Sequence, residues 1–453
     1  MASAFSMLCL LLTHDGSMMI SLEQRDYAQD LLDYIDSSPS PWHAVATAER
    51  RLLAAGFTRL EESTPWRLEA GERYFVVRGG SSLVAFVVGQ QALQDAGFRL
   101  VGAHTDSPGL RLKPHAPHAC EGHVRLGVEV YGGPILATFT DRDLSLAGRV
   151  NLRQTQGFET RLLRFDAPLV RLPNLAIHMN REVNEQGLKL NKQTELPLLL
   201  GLLETGINAK QQFMGHMATM LGVAEKDILN AEFNVYDTQQ GAFWGAQQEF
   251  IADSQLDNLA SCHAALTALT ASASPAATAI CALFDHEEVG SGSNVGADGC
   301  FLSDILKRIE ASQSLDLEAH CRTMAKSFFI SADMAHAYHP NFPASYEPEH
   351  KVLVNAGPVI KTNANQRYST TSDSAARFLL LCEAAGVPCQ QYAHRTDLGC
   401  GSTIGPLLAA RLGMPAVDVG APMWAMHSLR ESSGVLDHGF MIAVLEAHFA
   451  HQN

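Results

Sequence analysis

The sequence predicts an α/β protein whose alternating core is interrupted by a mostly β insert. Three observations predict it. Helical and strand-like runs alternate from residue 22 to about 107, and again from about 245 to the end. Between these stretches lie short alternating segments, HVRLGVEVYGG, LATFT, LSLAGRVNL and TRLLRF, which suit tight β turns better than βαβ units. At 453 residues the chain is also longer than one hydrophobic core ordinarily serves. The expected division is a first α/β part at 19–107, a β-rich insert at 108–237 and a second α/β part at 238–453.

Residues 22–55 carry the helical runs YAQDLLDYID and SPSPWHAVATAERRLLAAG. Ser40 before Pro41 suits a helix start and Gly56 a stop. RYFVVRG and SLVAFVVG are strands joined at Gly79-Gly80, and FRLVGAHTDSPG is a strand ending at His104. Beyond the insert, LDNLASCHAALTALTA is a helix with Asp257 or Asn258 near its start, AATAICALFD a strand, FLSDILKRIEAS a helix and SFFISADMAH a strand. SDSAARFLLLCEAAG is a helix stopped by Gly386, CQQYAH and PAVDVGAP are strands, and GFMIAVLEAHFAHQ is a closing helix.

The net charge of −15 argues against a nucleic-acid partner, which requires a basic footprint, and repels acidic ligands at long range. Nine cysteines scattered singly, with no C-x-x-C pair, suit a reduced, cytoplasmic protein. The apolar run from Phe5 to Leu12 is too short to span a bilayer, and no Lys or Arg precedes Arg25. Residues 1–18 are therefore expected to be a leader, disordered or non-native, and no membrane partner is expected.

The chemistry collects where strands end. His104 closes RLVGA, Glu287 and Glu288 follow AICALF, Asp333 closes SFFISA, and His427 follows AVDVGAPMWAM. In an open α/β sheet ligands gather at the carboxyl ends of strands, so these groups are expected on one rim, joined by Asp257 from a helix start. Imidazoles and carboxylates are the ligands of Zn²⁺, Mn²⁺ or Co²⁺. An aspartate can bridge two ions about 3.5–4 Å apart. Adjacent carboxylates repel unless cations offset them; Glu287 as base and Glu288 as ligand is a division the spacing allows.

Six stretches together resemble the M18 family of metallo-aminopeptidases: GAHTDSPGLRLKP (102–114), DSQLDNLASC (253–262), FDHEEVGSGS (284–293), SADMAHAYHPN (331–341), GPVIKTNANQRYST (357–370) and AMHSLRE (425–431). LAIHMNREVN (175–184) falls in the insert. The resemblance implies a di-zinc exopeptidase fold, a three-layer phosphorylase/hydrolase-like domain carrying an inserted dimerisation domain. It implies His104, Asp257, Glu288, Asp333 and His427 as metal ligands with Asp257 bridging, Glu287 as base, and Asp106 orienting a ligand imidazole. It further implies His178 as an oxyanion stabiliser reaching in from a neighbouring subunit, and Lys361 as the partner of a substrate carboxylate. The implied substrates are short peptides with a free N-terminus, Asp or Glu preferred; the implied assembly is a dodecamer built from dimers.

His336 and His339 lie close enough to Asp333 in sequence to line the pocket or a subunit contact, whereas PHAPHACEGH (114–123) reads as a solvated loop. GCGSTIGP (399–406) lacks the Lys-Ser/Thr of a phosphate loop, and the resemblance makes it a lining of the substrate cleft. Three alternatives stand beside the main reading: the same site cleaving neutral or apolar N-terminal residues, an amidase or deacylase, and a metal-binding assembly or cargo protein without activity.

Overall fold

The computed structural model describes residues 20–451, so the expected leader lies outside the described residues. A nine-stranded mixed sheet forms the centre, ordered in space Thr58–Arg59, Arg73–Arg78, Ser82–Val87, Thr278–Phe284, Phe98–His104, Phe328–Ala332, Ala416–Gly420, Val359–Thr362 and Gln390–Ala393. Its central strands are buried on both faces, which is why they read as unbroken apolar runs. Alternate residues serve two separate cores. Leu83, Ala85, Val87, Ala279, Cys281 and Leu283 pack with helices Leu22–Asp36, Pro41–Ala54, Leu256–Ala271, Ser372–Ala385 and Val435–Ala450. Val84, Phe86, Leu100, Ile280 and Ala282 pack on the other face with helices Phe301–Ser312, Leu317–Lys326 and Ile404–Leu412. The result is the three-layer architecture expected of an exopeptidase-like domain.

Local signals act where the sequence placed them. Ser40 accepts a hydrogen bond from the His43 N–H at the start of Pro41–Ala54, and Gly386 closes Ser372–Ala385 in the left-handed conformation. Helix Leu317–Lys326 went unread; only two of its residues, Thr323 and Met324, are buried, so its apolar signal is slight.

A six-stranded antiparallel sheet is built from segments between Gly109 and Asp237. Helix Ala209–Leu221, absent from the sequence reading, packs Phe213 and Met217 onto its core. The stretch PHAPHACEGH is not a loop: strands Gly109–Cys120 and His123–Tyr131 run through it and turn at Glu121-Gly122, both at positive φ. Its polar side chains face solvent from a paired backbone, which mimics loop composition. A third sheet of five short strands holds Phe250–Asp253, Glu431–Gly434, Pro422–Trp424 and Ala335–His336. It carries His427 in the connection between two neighbouring strands. No helix among the described residues is long and apolar enough to cross a membrane.

Candidate metal centre

Register brings the sequence-distant groups together. Strand Phe98–His104 lies parallel to Thr278–Phe284 on one side, with His104 opposite Phe284, and parallel to Phe328–Ala332 on the other. All three therefore end on the same rim, delivering His104, the turn Glu287–Val289 and Asp333. Helix Leu256–Ala271 packs beneath it and carries Asp257 in its first turn; the Cys262 thiol of the same helix donates to the His104 carbonyl at 3.0 Å.

Asp257 stands in the middle. Its Oδ1 is 3.4 Å from His104 Nε2, which is also 3.7 Å from Asp333 Oδ1. Its Oδ2 is 3.4 Å from His427 Nε2, which is itself 3.4 Å from Glu288 Oε1. Two atoms bound to one tetrahedral ion at about 2.0–2.1 Å lie roughly 3.4 Å apart. The spacing thus fits ligands sharing an ion better than it fits ordinary hydrogen bonds. Asp257 Oδ1 is buried without a hydrogen-bond partner among the described residues. Both imidazoles present Nε2 to the cluster because Nδ1–H donates to a carbonyl, that of Asp106 at 2.9 Å for His104 and that of Gly133 at 3.1 Å for His427. His104, Asp257 and Glu288 present ligand atoms within 4.8 Å of one another, a donor set that fits a divalent cation.

The electrostatics agree. Burial, reinforced by the carboxylates of Asp333 and Glu288 against the opposing His104, pushes Glu287 up to about 8. Burial and Asp257 push Glu288 up to about 7 although His427 opposes them. Burial alone would lower His427, but Asp257 and Glu288 carry it up to about 11. Burial would raise Asp257, yet His104 and His427 hold it low. Carboxylates crowded together in low dielectric in this way call for cations to offset them.

Asp106 stands against the His104 imidazole with two groups: its backbone carbonyl accepts from Nδ1–H at 2.9 Å, and its carboxylate Oδ1 lies 3.5 Å from the same nitrogen. The carboxylate also accepts the N–H groups of Glu287 at 3.1 Å and Glu288 at 3.2 Å, together with the Tyr131 hydroxyl at 2.6 Å. It fixes the backbone of the glutamate pair. Glu431, which the sequence reading passed over, does the same on the opposite wall: its Oε2 accepts the Asp257 N–H at 3.0 Å and its Oε1 the His427 N–H at 2.6 Å. Its only sequence signal is an acid at the mouth of the strand Glu431–Gly434.

Lys361 is not a surface lysine. It is 2% exposed and donates to the carbonyls of Asp333 at 3.0 Å and Met334 at 3.2 Å. His336 lies near Lys361; burial first, then Lys361 and His394, drop it to about 4 and keep it neutral. His339 turns away and packs on Phe342, with ring centroids 4.8 Å apart, while its Nδ1 accepts the Asn341 N–H. His178 sits in the short turn Ile177–Met179, exposed, and among the described residues no hydrogen bond or ion pair joins it to the cluster.

Three comparisons complete the picture. The family model described as "Aminopeptidase I zinc metalloprotease (M18)" matches residues 34–449. A protein of Pseudomonas aeruginosa (strain UCBPP-PA14) named "Probable M18 family aminopeptidase 2" is 46% identical over 424 residues, covering 93% of this chain and 97% of that one. The protein of the same name from Azotobacter vinelandii is 46% identical over 426 residues, covering 93% and 97%. Among solved structures, a chain of "Cryo-EM structure of the Ape4 and Nbr1 complex" superposes with a TM-score of 0.91 at 37% identity, covering 94% of this chain and 86% of that one. "Structure of S. cerevesiae mApe1 dodecamer" gives a TM-score of 0.83 at 25% identity, covering 95% and 97%.

Proposed function

The chain belongs to the M18 family of zinc-dependent aminopeptidases, and we propose that it removes an N-terminal Asp or Glu from short peptides at a site holding two divalent ions, zinc by preference. One observation carries the reading: the two oxygens of Asp257 are divided between two ligand sets, His104 with Asp333 and His427 with Glu288. Manganese or cobalt suits the same donors. When bound, such a pair polarises the scissile carbonyl and lowers the pKa of the attacking water.

The chain's own residues do the rest. Glu287 stands beside the ligands, its backbone N–H held by Asp106 and its carboxyl tuned upward by burial and neighbouring carboxylates. A carboxylate of that basicity takes the proton from the attacking water and returns it to the leaving amine. Asp106 and Glu431 keep the base and ligands in place from either side. Lys361, buried against Asp333, supplies local positive charge that a chain of net charge −15 otherwise lacks for an acidic side chain. One such pair at about 4 Å is worth roughly 1–4 kcal/mol. His178, exposed on the insert, is assigned to oxyanion stabilisation in a neighbouring subunit's site, within a dodecamer built from dimers. A dodecamer is named for the similar S. cerevesiae protein.

The test joins metal analysis of the purified protein to a panel of peptides starting with Asp, Glu, Leu, Arg and Ala, each with free and blocked N-termini. Two equivalents of metal and fastest release of Asp or Glu from free N-termini are expected. Hydrolysis confined to blocked peptides would return the site to an amidase or deacylase. A Glu287→Gln variant with full turnover would remove the base from the scheme.

A further inference from the structure

Acidic selectivity needs more hydrogen-bond donors than Lys361 has free. An ammonium group carries three protons. The carbonyls of Asp333 and Met334 take two, and Asp333 Oδ2, at 3.6 Å, faces the third. A second donor follows from the neighbouring strand. Strands Val359–Thr362 and Gln390–Ala393 run parallel with Lys361 opposite Tyr392, so these two side chains leave the sheet on the same face. Two residues after Tyr392 the chain presents His394. Its ring centroid is 6.0 Å from that of Tyr392 and 6.4 Å from that of His336, three residues beyond Asp333.

The Tyr392 hydroxyl is 2.5 Å from His394 Nδ1. A phenol is a better donor than acceptor, so the Tyr392 O–H donates to Nδ1, which leaves the ring N–H on Nε2. That Nε2 is buried and has no hydrogen-bond partner among the described residues. The tautomer is fixed by one neighbour, and the resulting donor is left for something the chain does not provide.

We propose that His394, oriented by Tyr392, is a specificity-determining residue whose Nε2–H donates to the side-chain carboxylate of the substrate's N-terminal Asp or Glu. This rests on the acidic preference proposed above and deepens it. The two donors differ in kind. Lys361 selects for charge, whereas an imidazole N–H donates to any acceptor oxygen in the right place, including the amide carbonyl of Asn or Gln. Loss of Lys361 therefore penalises Glu against Gln; loss of His394 penalises Glu and Gln together against Ala.

The experiment measures kcat/KM of the metal-loaded enzyme on peptides beginning with Glu, Gln and Ala. His394→Leu is expected to lower the Glu/Ala and Gln/Ala ratios about tenfold each, mainly through KM. His394→Gln, which restores an N–H donor, recovers part of the loss. Tyr392→Phe, which frees the tautomer, falls between His394→Leu and wild type. If wild type prefers Glu and His394→Leu leaves both ratios unchanged, the inference is overturned while the acidic preference stands. If wild type shows no acidic preference, both fall. Should His394→Leu fail to fold, the other two variants decide, and unchanged ratios in both overturn the inference.

Discussion

Replacing Asp106 with asparagine tests whether the site is held by its surroundings as much as by its ligands. The aspartate accepts from Glu287 N–H and Glu288 N–H on its two oxygens, and from the Tyr131 hydroxyl on Oδ2. An amide has only one acceptor oxygen. The cheaper orientation keeps that oxygen where it meets Tyr131 and Glu288, and turns the NH₂ toward the Glu287 N–H and the His104 imidazole, 3.5 Å from Oδ1. One charge-assisted hydrogen bond is lost, about 1.5–3 kcal/mol, and a donor then faces a donor. If that energy is spent in holding the ligands, it appears as a ten- to hundredfold weaker metal site, in the range that outlying partners of metal ligands usually control. A competition titration against a chromophoric zinc chelator measures the affinity, and kcat/KM on the same samples measures the displaced base. Tyr131→Phe removes the hydroxyl alone and spares both backbone bonds, so its loss stays below about tenfold. An Asp106→Asn enzyme that binds zinc within twofold of wild type and keeps its kcat/KM would refute the assignment.

Glu287→Gln is expected to keep its metal content while kcat falls by about 10²–10⁴, read by metal analysis beside steady-state kinetics. Chelation should lower the melting temperature more at pH 8 than at pH 5.5. Glu287 and Glu288, raised to about 8 and 7 in the bare site, contribute stability that is complete below about 4.5 and is lost as pH rises through those values. His427, raised to about 11, acts in the same direction above about 6.5. Matched unfolding curves with and without chelator check this, and equal shifts at the two pH values would contradict it. Lys361→Met strips two backbone carbonyls of their buried donor and should cost about 1–3 kcal/mol of stability, besides lowering the Glu/Gln selectivity ratio. Light scattering after gel filtration should show an assembly far above monomer mass.

The groups at strand ends were legible because each closes an apolar run long enough to be a buried strand. A chain that ends such a run with His104, Asp333 or Glu287-Glu288 has nowhere to place them but the rim. Helix boundaries followed for the same local reasons, at Ser40 and Gly386. What escaped depends on partners distant in sequence and on backbone atoms. Glu431 meets the N–H of Asp257 across 174 positions, and no spacing rule encodes a carboxylate that serves amides. The further contacts of the Asp106 side chain, to the N–H groups of Glu287 and Glu288 and the Tyr131 hydroxyl, were hidden because those partners lie far off in sequence. The burial of Lys361 could not be read from its own residue type, which is usually exposed; the pairing of its strand between Ala416–Gly420 and Gln390–Ala393 turns it inward.

The five side chains assigned to the ions all come from outside residues 109–237, yet Tyr131 and Gly133 within that stretch grip Asp106 and His427. A pared-down enzyme with the insert replaced by a short turn would keep every ligand and lose two of their restraints. The β-rich segment thus takes part in holding the site itself: no minimal module can be carved out by sequence boundaries alone. Chimaeras that exchange inserts between related enzymes should work only when the incoming piece brings back a hydroxyl and a carbonyl at these two points.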